Sequence, residues 1–306
     1  MSCEIETKIS FFISNIKHLN NAGIGNSLIE SLILFLKGYL PFVVKTVENE
    51  VVISIWLVSI KISELFKKNR IAFALNGSEG WGSNAGIMKK EINLLVNSLN
   101  IKELNIKSYA LNRMNSFVID CLSENYKVKK DEFSTYVNEI YGSEIINKLP
   151  NDRRRLHQIG ETEGLLISSV KPHKIIKLAK EAYERRGDKY PLGSIFRLLI
   201  YWILSKITNQ ILIRGTFINN EIHNFAIIQL GKDCGLYLYG GSINNPHRAA
   251  GVFLQVELMK YLHQRGFKHY DFGGASTRDQ KASAISMFKK KFGGHELRFS
   301  NINITF

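Results

Sequence analysis

Acidic residues, cysteines and prolines are all scarce in this chain of 306 residues. Its 27 Asp and Glu face 41 Lys and Arg, leaving a net charge of +14. So basic a surface favours an anionic partner such as nucleic acid, a nucleotide, a phospholipid or CoA, although the same charge also serves solubility alone. Cys3, Cys121 and Cys234 are odd in number and widely scattered, and no CxxC pair occurs. That pattern argues against a disulfide framework or a zinc site and for a reducing compartment. The histidines show no HExxH or other metal spacing, and no Gly-x-Ser-x-Gly elbow exists. We therefore expect no metal and no covalent serine intermediate. No Pro-rich or Gly/Ser-rich linker occurs either, so any two domains are expected to be joined tightly.

Long uninterrupted apolar runs are also missing. Val51 to Ile60 is far too short to cross a bilayer and reads as a buried strand. Leu192 to Ile213 is longer, but Arg197, Lys206, Asn209 and Gln210 interrupt it. A spanning helix is not expected, and peripheral contact is left open. The start, Met-Ser-Cys-Glu-Ile-Glu, lacks the basic residues and apolar core of a signal peptide. These features lead us to expect a cytoplasmic protein, at most peripheral at the inner face of the cell membrane.

What is present is the balance of a globular protein, 45% hydrophobic and 22% charged, together with a weak internal repeat. Phe42 to Val47 and Val51 to Ile60 are β-branched runs joined by Glu48-Asn49-Glu50, a hairpin signature. Ile211 to Ile218 and Glu221 to Leu230, joined by Asn219-Asn220, make a second. The texts Thr46-Val-Glu-Asn-Glu-Val51 and Thr216-Phe-Ile-Asn-Asn-Glu-Ile222 read as related, with one inserted residue. An apolar helical stretch precedes each hairpin, Ser27 to Leu40 in one half and Leu192 to Lys206 in the other. A helix and a short strand follow each: Ala85 to Asn100 with Lys102 to Tyr109, and Arg248 to Arg265 with Phe267 to Phe272. Two copies of one unit account for this order. Between them, Tyr141 to Glu163 reads as two helices around Pro150 with Arg153, Arg154 and Arg155 exposed, Gly164 to Val170 as a strand, and Pro172 to Arg186 as a helix stopped by Gly187. We place a boundary near Gly164, giving domains 1–164 and 165–306.

The last third carries the sharpest chemistry. Leu236-Tyr-Leu-Tyr-Gly-Gly-Ser242 alternates like a strand, and Asn244-Asn-Pro-His-Arg248 forms a polar turn before a helix. Unpaired backbone N–H groups at that helix start, beside His247 and Arg248, attract phosphate or carboxylate. GNAT acetyltransferases use a Gln/Arg-x-x-Gly-x-Gly/Ala pattern there to bind the CoA pyrophosphate. Arg248-Ala-Ala-Gly251-Val-Phe253 keeps the Arg and the first Gly but has bulky Phe253 where a small residue is expected, which argues against CoA. Gly77-Ser-Glu-Gly-Trp-Gly82 is glycine-rich but has neither a P-loop Lys nor a dinucleotide frame, and reads as a loop.

Tyr270-Asp-Phe-Gly-Gly-Ala275 followed by Met287-Phe-Lys-Lys-Lys-Phe-Gly-Gly294 resembles the Fem-like peptidyltransferases of the GNAT-like acyltransferase superfamily. Leu254-Gln-Val-Glu257, Gly266 and Gly38-Tyr-Leu-Pro-Phe42 look like the same family, and the match at motif level covers about residues 190 to 300. The resemblance implies a mixed α+β (α/β) fold of two tandem GNAT-like domains, each a mixed, largely antiparallel sheet flanked by helices. It implies an aminoacyltransferase that moves an amino acid from aminoacyl-tRNA to an amine of a cell-envelope, peptidoglycan-type precursor, nucleotide- or lipid-linked. Aminoacyl-tRNA is then the donor substrate and no bound cofactor is expected. The family's Phe-Lys step maps onto Phe288-Lys289, whose lysine is thought to stabilise charge near the tRNA end or the transition state. The long helical arm of some Fem proteins is absent.

The residues themselves leave each role open. Lys289 supplies positive charge to an oxyanion or grips a phosphate, or else belongs to a solvated run with Lys290 and Lys291. Asp271, ahead of Gly273 and Gly274, orients the acceptor amine or takes its proton, or else stabilises a turn. Tyr239 hydrogen-bonds a carbonyl or the acceptor, or is a strand aromatic. Phe288, His247, Arg248, Ser242, Gly273, Gly274 and Lys291 are the candidate substrate contacts. From His247 to Arg298, ten Lys or Arg face four Asp or Glu with aromatics among them, which suits a tRNA end or an ordinary basic face. Two alternatives stand beside the aminoacyltransferase: an acyl-CoA-dependent N-acyltransferase acting on an amino sugar or similar amine, and a non-catalytic nucleic-acid-binding protein.

Overall fold

The computed structural model describes residues 2–6, 34–35, 38–67, 69–75, 85–107, 116–140, 145–185, 187, 190–275 and 280–306. The chain divides into two compact units, Met1–Ser134 with Arg298–Phe306, and Thr135–Leu297. The expected boundary residue, Gly164, falls inside the second unit, where it closes a helix with φ +75°.

In the first unit the strands run in the order β1 (Ser2–Glu6), β2 (Tyr39–Glu48), β3 (Val51–Lys61), β4 (Arg70–Leu75), β5 (Ile101–Lys107) and the end of β12 (His295–Thr305). β4 and β5 pair in parallel and the other pairs are antiparallel. Helices α1 (Ala85–Leu99) and α2 (Ser116–Asn125) join this unit. Trp56, Ile60, Ile92 and Leu95 are fully buried in its core, where the alternation of the strands meets the apolar stripe of α1.

The second unit orders its strands from the end of β6 (Lys127–Glu139) through β11 (His269–Ala275), β10 (Cys234–Ser242), β9 (Glu221–Leu230) and β8 (Ile211–Ile218) to β7 (Leu166–Ser168). Its helices are α3 (Ile145–Lys148), α4 (Asn151–Thr162), α5 (Pro172–Glu184), α6 (Leu192–Ile207), α7 (Ala250–Gln264) and α8 (Gln280–Lys290). Tyr270, Phe272 and Phe292 are fully buried against Leu254, Leu258 and Leu262 of α7.

The two hairpins of the sequence repeat, and the helix and strand expected after each, are present in the backbone. Each hairpin turns through two left-handed residues, Asn49 and Glu50 in one, Asn219 and Asn220 in the other. Such φ values build the tight turn whose twist matches its flanking strands, and asparagine is among the few residues other than glycine that tolerate them well. Each hairpin also carries a bulge at the same place, after Thr46 and after Thr216. The buried hydroxyl at each bulge donates to the helix that follows: Thr46 Oγ1 to Glu91 Oε1 at 2.6 Å, Thr216 Oγ1 to Ala250 O at 3.3 Å. The register corrects the sequence alignment. Glu48 pairs Val51 as Ile218 pairs Glu221, so the two turns match without an inserted residue.

β4 is a further strand that the sequence reading did not draw. The helix expected from Ser27 to Leu40 lies mostly outside the described residues, and the loop Gly77 to Gly82 lies wholly outside them. No helix among the described residues is long and apolar enough to cross a membrane.

Candidate active site

β10 and β11 pair in parallel only from Cys234–His269 to Leu236–Asp271. Immediately beyond, β10 bulges against β9, Tyr237 facing Ile228 and Tyr239 facing Ile227, so Leu238 is the extra residue. A bulge bends its strand and re-aims the side chains on either side. Here it opens a cavity of about 570 Å³ walled by Tyr237 to Ser242 of β10, Gly251 and Gln255 of α7, and Phe288 and Lys289 of α8.

Lys289 is the buried member of the 289–291 lysine run, 7% exposed, whereas Lys290 and Lys291 lie in solvent. Its Nζ donates to the carbonyls of Gly273 at 2.9 Å and Gly274 at 2.8 Å, and sits 5.9 Å from the centre of the Tyr237 ring. Burial pulls this ammonium down to about 8, and the Asp271 charge opposes the shift. An ammonium has three donors. Two are taken by the carbonyls, which leaves one for whatever occupies the cavity that Lys289 lines.

Asp271 is 3% exposed and is not among the residues lining the cavity. Its Oδ1 accepts from Thr135 Oγ1 at 2.6 Å and from the Gly273 amide at 2.7 Å. Burial raises its carboxyl above the usual range, while the bonds from Thr135 and Gly273 and the charge on Lys289 pull the other way. Gly273 has φ +67°, and a Cβ there would lie 2.5 Å from the Tyr237 carbonyl oxygen. Only glycine fits, and that close approach is what sets the two carbonyls beneath Lys289.

The remaining candidates are distributed around this centre. Tyr239 and Ser242 line the cavity, with the Tyr239 ring 6.0 Å from Phe225. Arg185, which the sequence reading did not single out, donates to Ser242 Oγ at 3.0 Å and to Asn244 Oδ1 at 3.2 Å from the same wall. Phe288 packs edge-on to Phe292 and lies 3.7 Å from a Cβ built on Gly251. His247 and Arg248 instead converge on Glu163, the arginine at 3.0 Å. Their hydrogen bonds hold the Glu163 carboxyl below its ordinary range. Lys291 points to solvent and Gly274 is open on its side-chain face.

Three further residues build the support. Arg153, expected to be exposed, is buried with its guanidinium 5.5 Å from the Phe288 ring and 5.3 Å from the Phe292 ring. Stacking on two aromatic faces lets a guanidinium enter the interior. Gln255 accepts from Tyr270 at 2.5 Å. Phe253 stacks on His157 at 5.3 Å and presses on Gly160 of α4, so its bulk lies in the α4–α7 contact rather than in the cavity wall. His157, Glu161 and Glu257 come within 4.8 Å of one another, but Glu257 Oε1 is already shared by His157 and Lys260.

No protein-family model matches the sequence, and no curated protein matches it in sequence. Among solved structures the chain is similar to FemX, with a TM-score of 0.81 and 13% identity over 99% of this chain and 97% of that one. It is also similar to L-PGS from Bacillus licheniformis, at a TM-score of 0.58 and 10% identity over 98% and 92%. A tandem GNAT protein from the clavulanic acid biosynthesis pathway aligns at a TM-score of 0.51 and 9% identity over 100% and 98%. With its mixed α+β sheets and the parallel strand pair beside α7, the chain has a FemX-like fold of the GNAT class.

Proposed function

We propose that this chain is an aminoacyltransferase that moves an amino acid from aminoacyl-tRNA to an amine of a cell-envelope precursor. The observation that carries the reading is Lys289: a buried ammonium anchored on two carbonyls, with one donor left for the cavity it lines. The FemX-like fold and the Tyr-Asp-Phe-Gly-Gly and Phe-Lys motifs support it.

In the reaction, the acceptor amine attacks the aminoacyl ester carbonyl. A C–N bond forms, the ester C–O bond breaks, and the amine proton ends on the leaving ribose hydroxyl. The carbonyl oxygen gains negative charge on the way, and a fixed cation out of bulk water stabilises it far better than solvent does. With its ammonium at about 8, Lys289 is roughly nine-tenths charged at neutral pH. Asp271 acts through Gly273 and through its charge on Lys289, which makes it a positioning residue. Tyr239, Ser242 and Phe288 are the wall contacts for acyl donor and acceptor.

An acyl-CoA donor is the second reading, favoured by the placement of Phe253. Because its ring is buried against α4, it leaves the start of α7 at Gly251 open to the cavity.

The test offers purified protein labelled mixed aminoacyl-tRNA and labelled acetyl-CoA separately, with total envelope precursors as acceptors. Transfer from the tRNA pool, lost in Lys289→Ala, supports the first reading. Transfer from acetyl-CoA alone moves the assignment to the second. Salt-sensitive RNA binding with no transfer from either donor overturns both in favour of a non-catalytic RNA-binding protein.

A further inference from the structure

A second cavity, of about 170 Å³, lies where the C-terminal ends of α6 and α7 meet the start of β8, and Lys206, Arg214, Tyr261 and Arg265 line it. Arg214 and Arg265 both lie against the Tyr261 ring, at 5.6 and 5.7 Å from its centre. Lys206 leans over Trp202 at 5.7 Å. Among the described residues no carboxylate comes within ion-pair distance of Lys206, Arg214 or Arg265. Arg214 donates to the Ile213 carbonyl and Arg265 to the Tyr261 hydroxyl, and the carbonyl ends of α6 and α7 offset part of the repulsion among the three cations; a bound anion relieves the rest. The hollow holds roughly five waters, enough for a phosphate group and too little for a nucleoside.

The neighbouring surface of α6 says what carries the phosphate. Phe196, Ile203 and Ile207 are 55%, 51% and 69% exposed. Their spacing of seven and four residues puts them on one stripe of the helix, and Ile203 and Lys206 are i,i+3 neighbours. The opposite face of α6, with Leu198, Tyr201 and Leu204, is buried. An apolar stripe edged by cations matches the two layers of an anionic membrane surface: acyl chains for the isoleucines, headgroup phosphates for the arginines. The bases of a nucleic acid stack on an aromatic such as Phe196, but they leave the aliphatic Ile203 and Ile207 uncovered, which acyl chains do not.

We propose that α6 seats the second unit on an anionic phospholipid surface, with a lipid headgroup phosphate held between Lys206, Arg214 and Arg265. The inference is independent of the acyl-transfer reading, since it concerns a different cavity and is read by binding alone.

Co-sedimentation of the full chain with vesicles tests it. Vesicles of phosphatidylcholine with phosphatidylglycerol should bind, and vesicles of phosphatidylcholine alone should bind at least tenfold more weakly. Arg214→Gln and Arg265→Gln should each weaken binding by about fivefold, and Ile203→Ser with Ile207→Ser should abolish what remains. Glycerol phosphate should compete only weakly. Equal binding to both vesicle types, or variants that bind as the parent does, overturns the proposal. So does glycerol phosphate that binds as tightly as the vesicles and displaces them, which would mark a soluble phosphate site. If the serine variants instead dissociate a dimer in sedimentation velocity, the stripe is covered by a second copy and the membrane assignment falls.

Discussion

Lys289 donates to the carbonyl of Gly273, and the amide of that same Gly273 donates to Asp271. One peptide-bearing residue thus separates a buried cation from a buried anion, contacting each with its opposite pole. The arrangement keeps the two charges in electrostatic contact while leaving the ammonium on the cavity side and the carboxylate away from it. A direct ion pair would have consumed the remaining donor of Lys289.

Lys289→Met should lower kcat by roughly 100- to 1,000-fold, the effect of removing one oxyanion donor, with KM changed by no more than a few-fold. Steady-state kinetics with whichever donor supports transfer measure it. A rise in KM at constant kcat would show that Lys289 binds ground state and transition state alike.

The pH dependence follows from the same group. Its ordinary value is 10.5 and burial lowers it to about 8; in the proposed reaction the charged form is the working one. The rate of the bound complex should therefore be level below about 8 with respect to this group and fall about tenfold per pH unit above it. Unfolding does not mimic this loss. Between about 8 and 10.5 the unfolded chain holds a proton that the folded chain has released, so this lysine by itself makes the fold more stable as pH rises. A pH–rate profile, paired with urea midpoints at each pH, separates the two.

Gly273→Ala should destabilise the fold by more than about 2 kcal/mol, because the new Cβ meets the Tyr237 carbonyl at 2.5 Å in a left-handed backbone. Its neighbour supplies the control. Gly274 has open space where a Cβ would go, and Gly274→Ala should change stability by no more than about 0.5 kcal/mol. Urea denaturation of the two variants makes the comparison.

Legibility in the sequence tracked how local each signal was. The second hairpin was readable to the residue because Asn219-Asn220 announces its own turn and the flanking runs are β-branched. The Phe-Lys and Gly-Gly motifs likewise led to the segment that lines the cavity. Thr135 was invisible, since it bonds Asp271 across 136 positions and sits in a polar stretch without pattern. The Arg153–Arg155 run read as solvated charge, and for Lys289–Lys291 that reading stood beside a catalytic one for Lys289; each run sends one member inward where aromatic faces or carbonyls receive it. Periodicity cannot find such residues, because it marks apolar positions only. Phe253 failed in the opposite sense: its size was legible, but the glycine that accommodates it lies on another helix.

That pairing gives the last prediction. A Cβ on Gly160 would fall 2.6 Å from Cδ2 of Phe253, so Gly160→Ala alone should overpack α4 against α7 and lose about 1–3 kcal/mol. Phe253→Leu alone gives up the stack on His157 and leaves space beside Gly160. Together the two substitutions relieve each other, and the double variant should be more stable than the sum of the singles by about 0.5–3 kcal/mol. Because the ring faces α4, neither change should alter which acyl donor is used. A double-mutant cycle by urea denaturation, with donor choice assayed on the same four proteins, tests both statements. Additive losses would separate Phe253 from Gly160, and a switch of donor in Phe253→Leu would return that side chain to the substrate wall.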